Sequence, residues 1–140
     1  MYSEPTLKLT HQAVMAMLEA AIAKAEDMGQ PQCIVIVDAS GVTLGQLRMN
    51  GAKYLSLKSA KAKARTAASI GAPSDAIPDA VGLYIAAATD GEVTRLGGGL
   101  PIRLDDQLVG GIGIGSGSPD QDKDVARAAL AAIGAAIPSS

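Results

Sequence analysis

The sequence predicts a single α/β domain in which helices cover an antiparallel sheet. Its 140 residues are enough for one domain with its own core. Apolar periodicity gives the element order α-β-β-α-(α)-β-β-α, in which the strands occur as hairpins between helices. Hairpin strands pair antiparallel, so we expect an antiparallel sheet with helices packed on its faces.

Two long helices are predicted in the first half of the chain. Within residues 9–28, apolar side chains recur at three- and four-residue spacing, Thr10 provides an N-cap and Gly29 ends the helix. The second helix covers Leu55–Ile70 and ends at Gly71. It is the most basic segment of the chain, and a charged helix surface is usually solvated.

The second half contains one irregular and one regular helix. Ser74 is the predicted cap of a short helix that continues irregularly to about residue 85. Ser118 caps the final helix, and Pro119 takes its first position. Acidic residues of that first turn, such as Asp122, suit the positive end of the helix dipole.

Two hairpins supply the sheet. The continuous β-branched run Cys33–Asp38 predicts a central strand, and residues 42–49 return beside it. The chain is organised around the second hairpin, residues 93–115, which turns at residues 104–107. Its second strand is predicted at residues 108–114.

The second hairpin is unusually rich in glycine. Its first strand contains Gly97, Gly98, Gly99 and Pro101, and one face of the second carries glycines at alternate positions. Glycine in a strand indicates close approach of another backbone or a ligand. The pattern therefore predicts a crowded surface against a helix, a partner subunit or a flat ligand, and close helix-on-sheet packing with a bulge is the simplest of these.

Composition excludes several classes of function. The chain has no Phe or Trp, three Tyr and a net charge of −2, which argues against nucleic-acid binding by stacking or by a cationic surface. The single Cys33 excludes an internal disulfide. The N-terminal residues do not resemble a signal peptide, and no apolar run reaches the roughly 20 residues that cross a bilayer. We therefore expect a cytoplasmic protein that binds neither nucleic acid nor membrane.

Three residues are candidates for chemistry. Lys63 lies on the small-residue face of its helix, where an ammonium group must snorkel or find a partner. Arg48, at the end of a strand, could hold an anion or pair with a carboxylate. His11 is the only histidine; it is either an ordinary surface residue or an axial ligand or proton donor at a subunit boundary. Nucleophilic triads and nucleotide-binding loops are not supported.

The chain resembles the haem-binding or haem-degrading domain family typified by the GlcG and HbpS proteins and by the C-terminal domain of PduO-type adenosyltransferases. The resemblance covers about residues 7–136 of the single domain 1–140. It rests on six motifs in the same order: the Leu9-Thr10 helix start, VIVDASG from Val35, LRMNGA from Leu47, KARTAA from Lys63, GGGLPI from Gly97 and VGGIGIGSGSPDQD from Val109.

The resemblance implies a profilin-like three-layer α/β/α domain with a five-stranded antiparallel sheet, the fifth strand coming from residues 86–88. It also implies a homo-oligomer, from tetramer to octamer, and haem as a cofactor. The ligand would lie across the glycine-rich strands, with His11 coordinating the iron and Arg48 or Lys63 facing the propionates. The residues assigned to the cofactor are His11, Met49, Gly97, Gly98, Gly99 and Pro101.

Two other functions remain open. The first is an enzyme or pathway accessory acting on a small carboxylate or aromatic metabolite, for which backbone N–H groups of Gly97, Gly98 and Gly99 would bind an oxyanion. In that hypothesis Lys63 and Arg48 are the catalytic residues, which bind or polarise the substrate. The second is a structural oligomer without catalysis, in which glycines line the subunit contacts.

Overall fold

The computed structural model describes residues 1–139, which fold into helices on both faces of one sheet. Most predicted element boundaries are confirmed within two residues. In chain order the elements are α1 His11–Asp27, β1 Cys33–Asp38, β2 Thr43–Arg48, α2 Leu55–Ile70, short 3₁₀ turns at Ser74–Ala76 and Asp79–Val81, α3 Gly82–Ala88, β3 Gly99–Leu104, β4 Gln107–Gly115 and α4 Pro119–Ala132.

Within residues 1–139 the sheet is antiparallel and has four strands in the order β2-β1-β4-β3. The expected fifth strand is therefore wrong, because residues 86–88 form the last turn of α3. Alanine has the highest helix propensity and is depleted in strands, so a run of three alanines favours the helix. The strands that remain leave β2 and β3 at the two edges.

The core has two layers, one on each face of the sheet. On one face, the apolar stripes of α1 and α4 pack on Ile34, Ile36, Ile112 and other aliphatic side chains that point the same way from the strands. On the opposite face, small residues of α2 pack on Cys33, Val35 and Val37. Alternate residues of a strand point to opposite faces, which explains this division.

The glycines of β4 bring α2 close to the sheet. A Cβ atom on Gly111 would collide with the carbonyl oxygen of Ala64, and one on Gly113 with that of Ala60. The helix backbone therefore rests directly on the strand, as the close-packing interpretation predicts. It occupies the space that the other interpretation assigned to a flat ligand lying across this face.

The helix ends agree with the capping predictions except at one residue. Thr10 caps α1 by accepting from the Ala13 N–H, and Ser118 forms a complete capping box at the start of α4. The sequence predicts Ser74 as the cap of the short helix that follows α2, but Pro73 takes the cap position there. The Ser74 hydroxyl instead serves the loop before β3, because it donates to Leu96 O.

Candidate functional site

Lys63 lies in a buried ion pair. Its Nζ is 3.1 Å from Asp122 Oδ2 and donates to Ile114 O at 2.8 Å, and the two charged side chains are 7% and 2% exposed. Lys63 belongs to α2 and Asp122 to α4, so the pair joins helices on opposite faces of the sheet. The pair lies beside Gly98, directly before β3, where a Cβ would be 3.2 Å from the Lys63 Nζ.

Two further groups complete this network. Gln32 Nε2 donates to Asp122 Oδ1 at 2.9 Å, and the Gly117 N–H donates to both Gln32 Oε1 and Asp122 Oδ1 at 3.1 Å. Both carboxylate oxygens of Asp122 thus have donors, and the Lys63 ammonium has two acceptors. Paired and hydrogen-bonded charges are the form in which ions are tolerated in a protein interior.

The glycine-rich loop before β3 lies beside this network. The Gly99 N–H donates to Ser74 Oγ at 2.9 Å. Next to Gly97 lies a second ion pair, between Lys123 Nζ and Asp75 Oδ2 at 2.6 Å. The structure therefore brings Lys63, Gly97, Gly98 and Gly99 together, as the predicted site requires, but each lysine there already has a carboxylate partner.

The remaining residue of that predicted group is Pro101. It lies in the edge strand β3 opposite Gly111 and is buried. An edge strand tolerates proline, because one side of its backbone has no neighbouring strand. Its ring therefore belongs to the packed interior.

A cavity of about 590 Å³ opens between the last turns of α1 and the end of β2. Arg48 and Met49 border it, although Arg48 Nη1 also donates to Ala52 O at 3.2 Å. Cavities of this size with mostly apolar walls are typical of small-molecule sites. Its other lining residues are Ile22, Ala25, Glu26, Gly29, Gln30, Pro31, Leu47 and Asn50.

His11 stands apart from both groups. It is exposed in the first turn of α1, and its imidazole makes no hydrogen bond or ion pair with residues 1–139. Met15, one helical turn further on, is 54% exposed and shares this flank of α1. The cavity borders the same helix at Glu26, about 22 Å along its axis from His11, so one chain does not bring the imidazole to the cavity.

Cys33 is chemically protected. It lies in β1 under α2 and is buried. Burial raises the pKa of the Cys33 thiol, an effect that the Arg48 guanidinium and a hydrogen bond with Ser116 partly offset. The thiol is therefore protonated and unreactive near neutral pH, as expected for a structural cysteine.

Sequence reasoning missed Asp122 as the partner of Lys63 and Gln32 as a hydrogen-bond donor to Asp122. The sequence predicts Asp122 in the first turn of α4, where a carboxylate suits the helix dipole, and the structure confirms that position. The available signal was Gln32, a polar residue directly before the continuous apolar strand β1, because a buried amide needs partners. Nothing in the local pattern shows which partners these are.

The chain belongs to the family described as haem degrading protein, HbpS-like, whose pattern it matches over residues 9–131. It is 36% identical over 135 residues to the corrinoid adenosyltransferase PduO of Citrobacter freundii, a match that covers 93% of this chain. It spans only 40% of the length of that relative. The resemblance to this family that the six motifs indicate is thus confirmed.

Solved structures agree with the family assignment. The PduOC–haem complex superposes with a TM-score of 0.87 and 31% identity, covering 94% of this chain and 99% of that one. HbpS superposes with a TM-score of 0.84 and 33% identity, covering 95% of each chain. Among residues 1–139, no helix has both the length and the apolar character to cross a membrane.

Proposed function

We propose that this protein binds haem and that His11 is the axial ligand of the iron. The observation that carries the proposal is the exposed imidazole of His11, which has no partner within residues 1–139. Imidazole is a common axial ligand of haem iron. The PduOC–haem complex, to which the chain is 31% identical, supports haem as the bound group.

The side chains that share the flank of α1 with His11 are suited to contact with a porphyrin. Met15 presents an exposed thioether one turn away, and the flank of α1 continues to the partly buried Ile22. Flexible, polarisable methionine packs well against a flat apolar group. These side chains can therefore cover part of one porphyrin face without the large aromatic rings that the chain lacks.

Other parts of the proposal follow from the family. Bound haem would supply the redox chemistry that the name haem degrading protein implies. One chain does not bring its His11 to Arg48 and Met49, so these two residues would contact the same haem only from a second copy of the chain. There the exposed Arg48 would supply a cation for a propionate, and Met49 would supply apolar contact. We further propose a cytoplasmic homo-oligomer. Gly97, Gly98, Gly99 and Pro101 are not part of this proposal.

The metabolite-enzyme alternative receives less support from the structure. Its two catalytic candidates are separated, because Lys63 is engaged with Asp122 and does not line the cavity at Arg48. A catalytic amine needs a free and accessible nitrogen, whereas the Lys63 Nζ has two acceptors in the interior. Catalytic roles for Lys63 and Arg48 stay predictions.

Haemin titration followed by absorbance tests the proposal. We expect a saturable Soret band for the wild type and an affinity lowered by more than about tenfold in His11→Ala, because the iron loses its protein ligand. Gln12→Ala is the matched control, since Gln12 is the exposed neighbour in the same turn. An unchanged band in His11→Ala refutes the ligand assignment, and no saturable binding by the wild type refutes haem binding.

A further inference from the structure

A groove runs along α2, on the face of the sheet opposite α1 and α4. One wall is α2, and the other is the segment of residues 86–96 that follows α3. The groove contains two cavities, of about 560 Å³ and about 300 Å³. Both are bordered by Lys58, Ala62 and Gly91, so they form one continuous space. Each cavity is large enough for a small molecule.

The helix wall of the larger cavity carries only positive charge, from Lys58, Lys61 and Arg65. Arg65 is already neutralised, because its Nη1 lies 3.0 Å from Glu92 Oε1. The side chains of Lys58 and Lys61 make no ion pair or hydrogen bond with residues 1–139. They are three residues apart and are therefore neighbours on the helix surface. An anion bound between them would relieve their mutual repulsion.

The opposite wall of this cavity offers acceptors instead of donors. Residues 90–93 direct their backbone N–H groups to residues 86–89, so these groups are not free to bind an anion. The Thr89 hydroxyl likewise donates to Ile85 O at 2.7 Å. The Asp90 carboxylate is exposed and makes no ion pair within the described part of the chain. A carboxylate only accepts, so this wall suits an ammonium group.

The smaller cavity is lined mainly by apolar side chains. Leu55 from α2 and Leu96 from the other wall are 64% and 57% exposed, and the half-buried Val93 lies in the same lining. Exposed apolar side chains that share one concave surface mark a place where a ligand or partner makes contact. Because Lys58 borders both cavities, the charged and the apolar halves belong to one site.

We propose that this groove binds a free α-amino acid with an apolar side chain. The amino-acid carboxylate lies between Lys58 and Lys61, and its ammonium group contacts Asp90. Its side chain packs on Leu55 and Leu96. A simple carboxylate would leave Asp90 without a counterion, and a simple amine would leave both lysines without one. The inference is independent of haem binding, because α2 covers the face of the sheet opposite α1.

A titration with leucine, followed by the amide chemical shifts of the protein, tests the site without haem. We expect saturable shifts at Ser59 and Gly91, which line the groove. Isocaproate lacks the ammonium group, isoamylamine lacks the carboxylate and glycine lacks the apolar side chain. Each is expected to bind at least about fivefold more weakly than leucine, because one set of contacts is lost. The absence of saturable shifts with leucine, or equal affinity for isocaproate, overturns the proposal.

Two charge variants test the two ends of the ligand. Asp90→Asn keeps the left-handed backbone, with its φ of +57°, and is expected to bind leucine and isocaproate about equally. Asp106→Asn is the matched control, because Asp106 has a φ of +63° in the turn between β3 and β4. Retention of the preference for leucine in Asp90→Asn overturns the ammonium contact.

The carboxylate end is tested by Lys61→Gln, which is expected to bind leucine at least about fivefold more weakly. Lys24→Gln is its control, because Lys24 lies in the last turn of α1, on the other face of the sheet. Equal affinity for leucine in these two variants overturns the assigned carboxylate contact.

Discussion

Lys63 and Asp122 form a 3.1 Å ion pair between two helices that lie on opposite faces of the sheet. The link passes the end of β3 beside Gly98, whose missing side chain leaves room for it. The ion pair thereby connects α2 and α4 directly beyond the end of β3, where no strand lies between the two helices. Both groups are almost completely buried, so the attraction between them is needed to offset the cost of removing each charge from water.

Removing one member of this pair is expected to destabilise the fold strongly. Lys63→Met or Asp122→Leu leaves one buried charge without a counterion, which costs about 3–5 kcal/mol of unfolding free energy. The double variant is expected to lose much less than the sum, because neither charge remains. Urea denaturation of the wild type, the two single variants and the double variant measures this coupling.

The surface pair of Arg127 and Asp124 provides the control. Its side chains are 32% and 54% exposed, so Arg127→Ala is expected to change the unfolding free energy by less than about 1 kcal/mol. Equal and small effects at the buried and the surface pair would contradict the structural role of Lys63. Additive losses in the double variant would contradict direct coupling.

The packing of α2 on β4 predicts the effect of a single methyl group. Gly113→Ala would set its Cβ against the Ala60 carbonyl oxygen, so helix and strand must separate, at a cost of about 3 kcal/mol. Gly29→Ala is the control, because Gly29 has a φ of +67° but no atom within 4 Å of the place where a Cβ would lie. That variant carries only the left-handed backbone cost of about 1–2 kcal/mol. A smaller loss at Gly113 than at Gly29 would show that α2 does not rest on the strand.

The Ser74 hydroxyl holds the glycine-rich loop. It donates to Leu96 O at 2.6 Å and accepts from the Gly99 N–H at 2.9 Å. Ser74→Ala leaves both backbone groups without this partner, which is expected to cost about 1–3 kcal/mol. Hydrogen exchange should show faster exchange at the Gly99 amide, whereas the exposed Ser69→Ala should leave that amide unchanged. An unaltered Gly99 amide in Ser74→Ala would refute this role.

The buried Cys33 thiol is expected to lower the unfolding free energy as the pH becomes alkaline. Burial raises the pKa of its thiol in the folded chain, so the folded state favours the neutral form. The stabilisation is complete below the ordinary thiol pKa and is lost as the pH rises through the raised value. Urea denaturation from about pH 7 to about pH 10, a range that brackets the ordinary thiol pKa, should show a steeper decline than in Cys33→Ala. Parallel declines in the two proteins would rule out this contribution.

Local sequence signals predicted the elements well. Thr10, Ser118 and Gly71 mark helix ends through side-chain capping or a left-handed backbone, and these depend only on neighbouring residues. The family resemblance implied a fifth strand at residues 86–88, and this was wrong. These residues are alanines, which favour helix, and they form the end of α3. The alternate glycines of β4 likewise predicted close packing on one face of the strand, but not that α2 is the element that packs there.

Periodicity, capping and motif order within short stretches were enough to predict the helices, the two hairpins and the family. Three features could be seen only in the packed structure: α2 fills the glycine face, Lys63 pairs with Asp122, and His11 is exposed and distant from the cavity. Such contacts join residues as far apart as positions 63 and 122. They depend on how the layers pack, which no local pattern encodes.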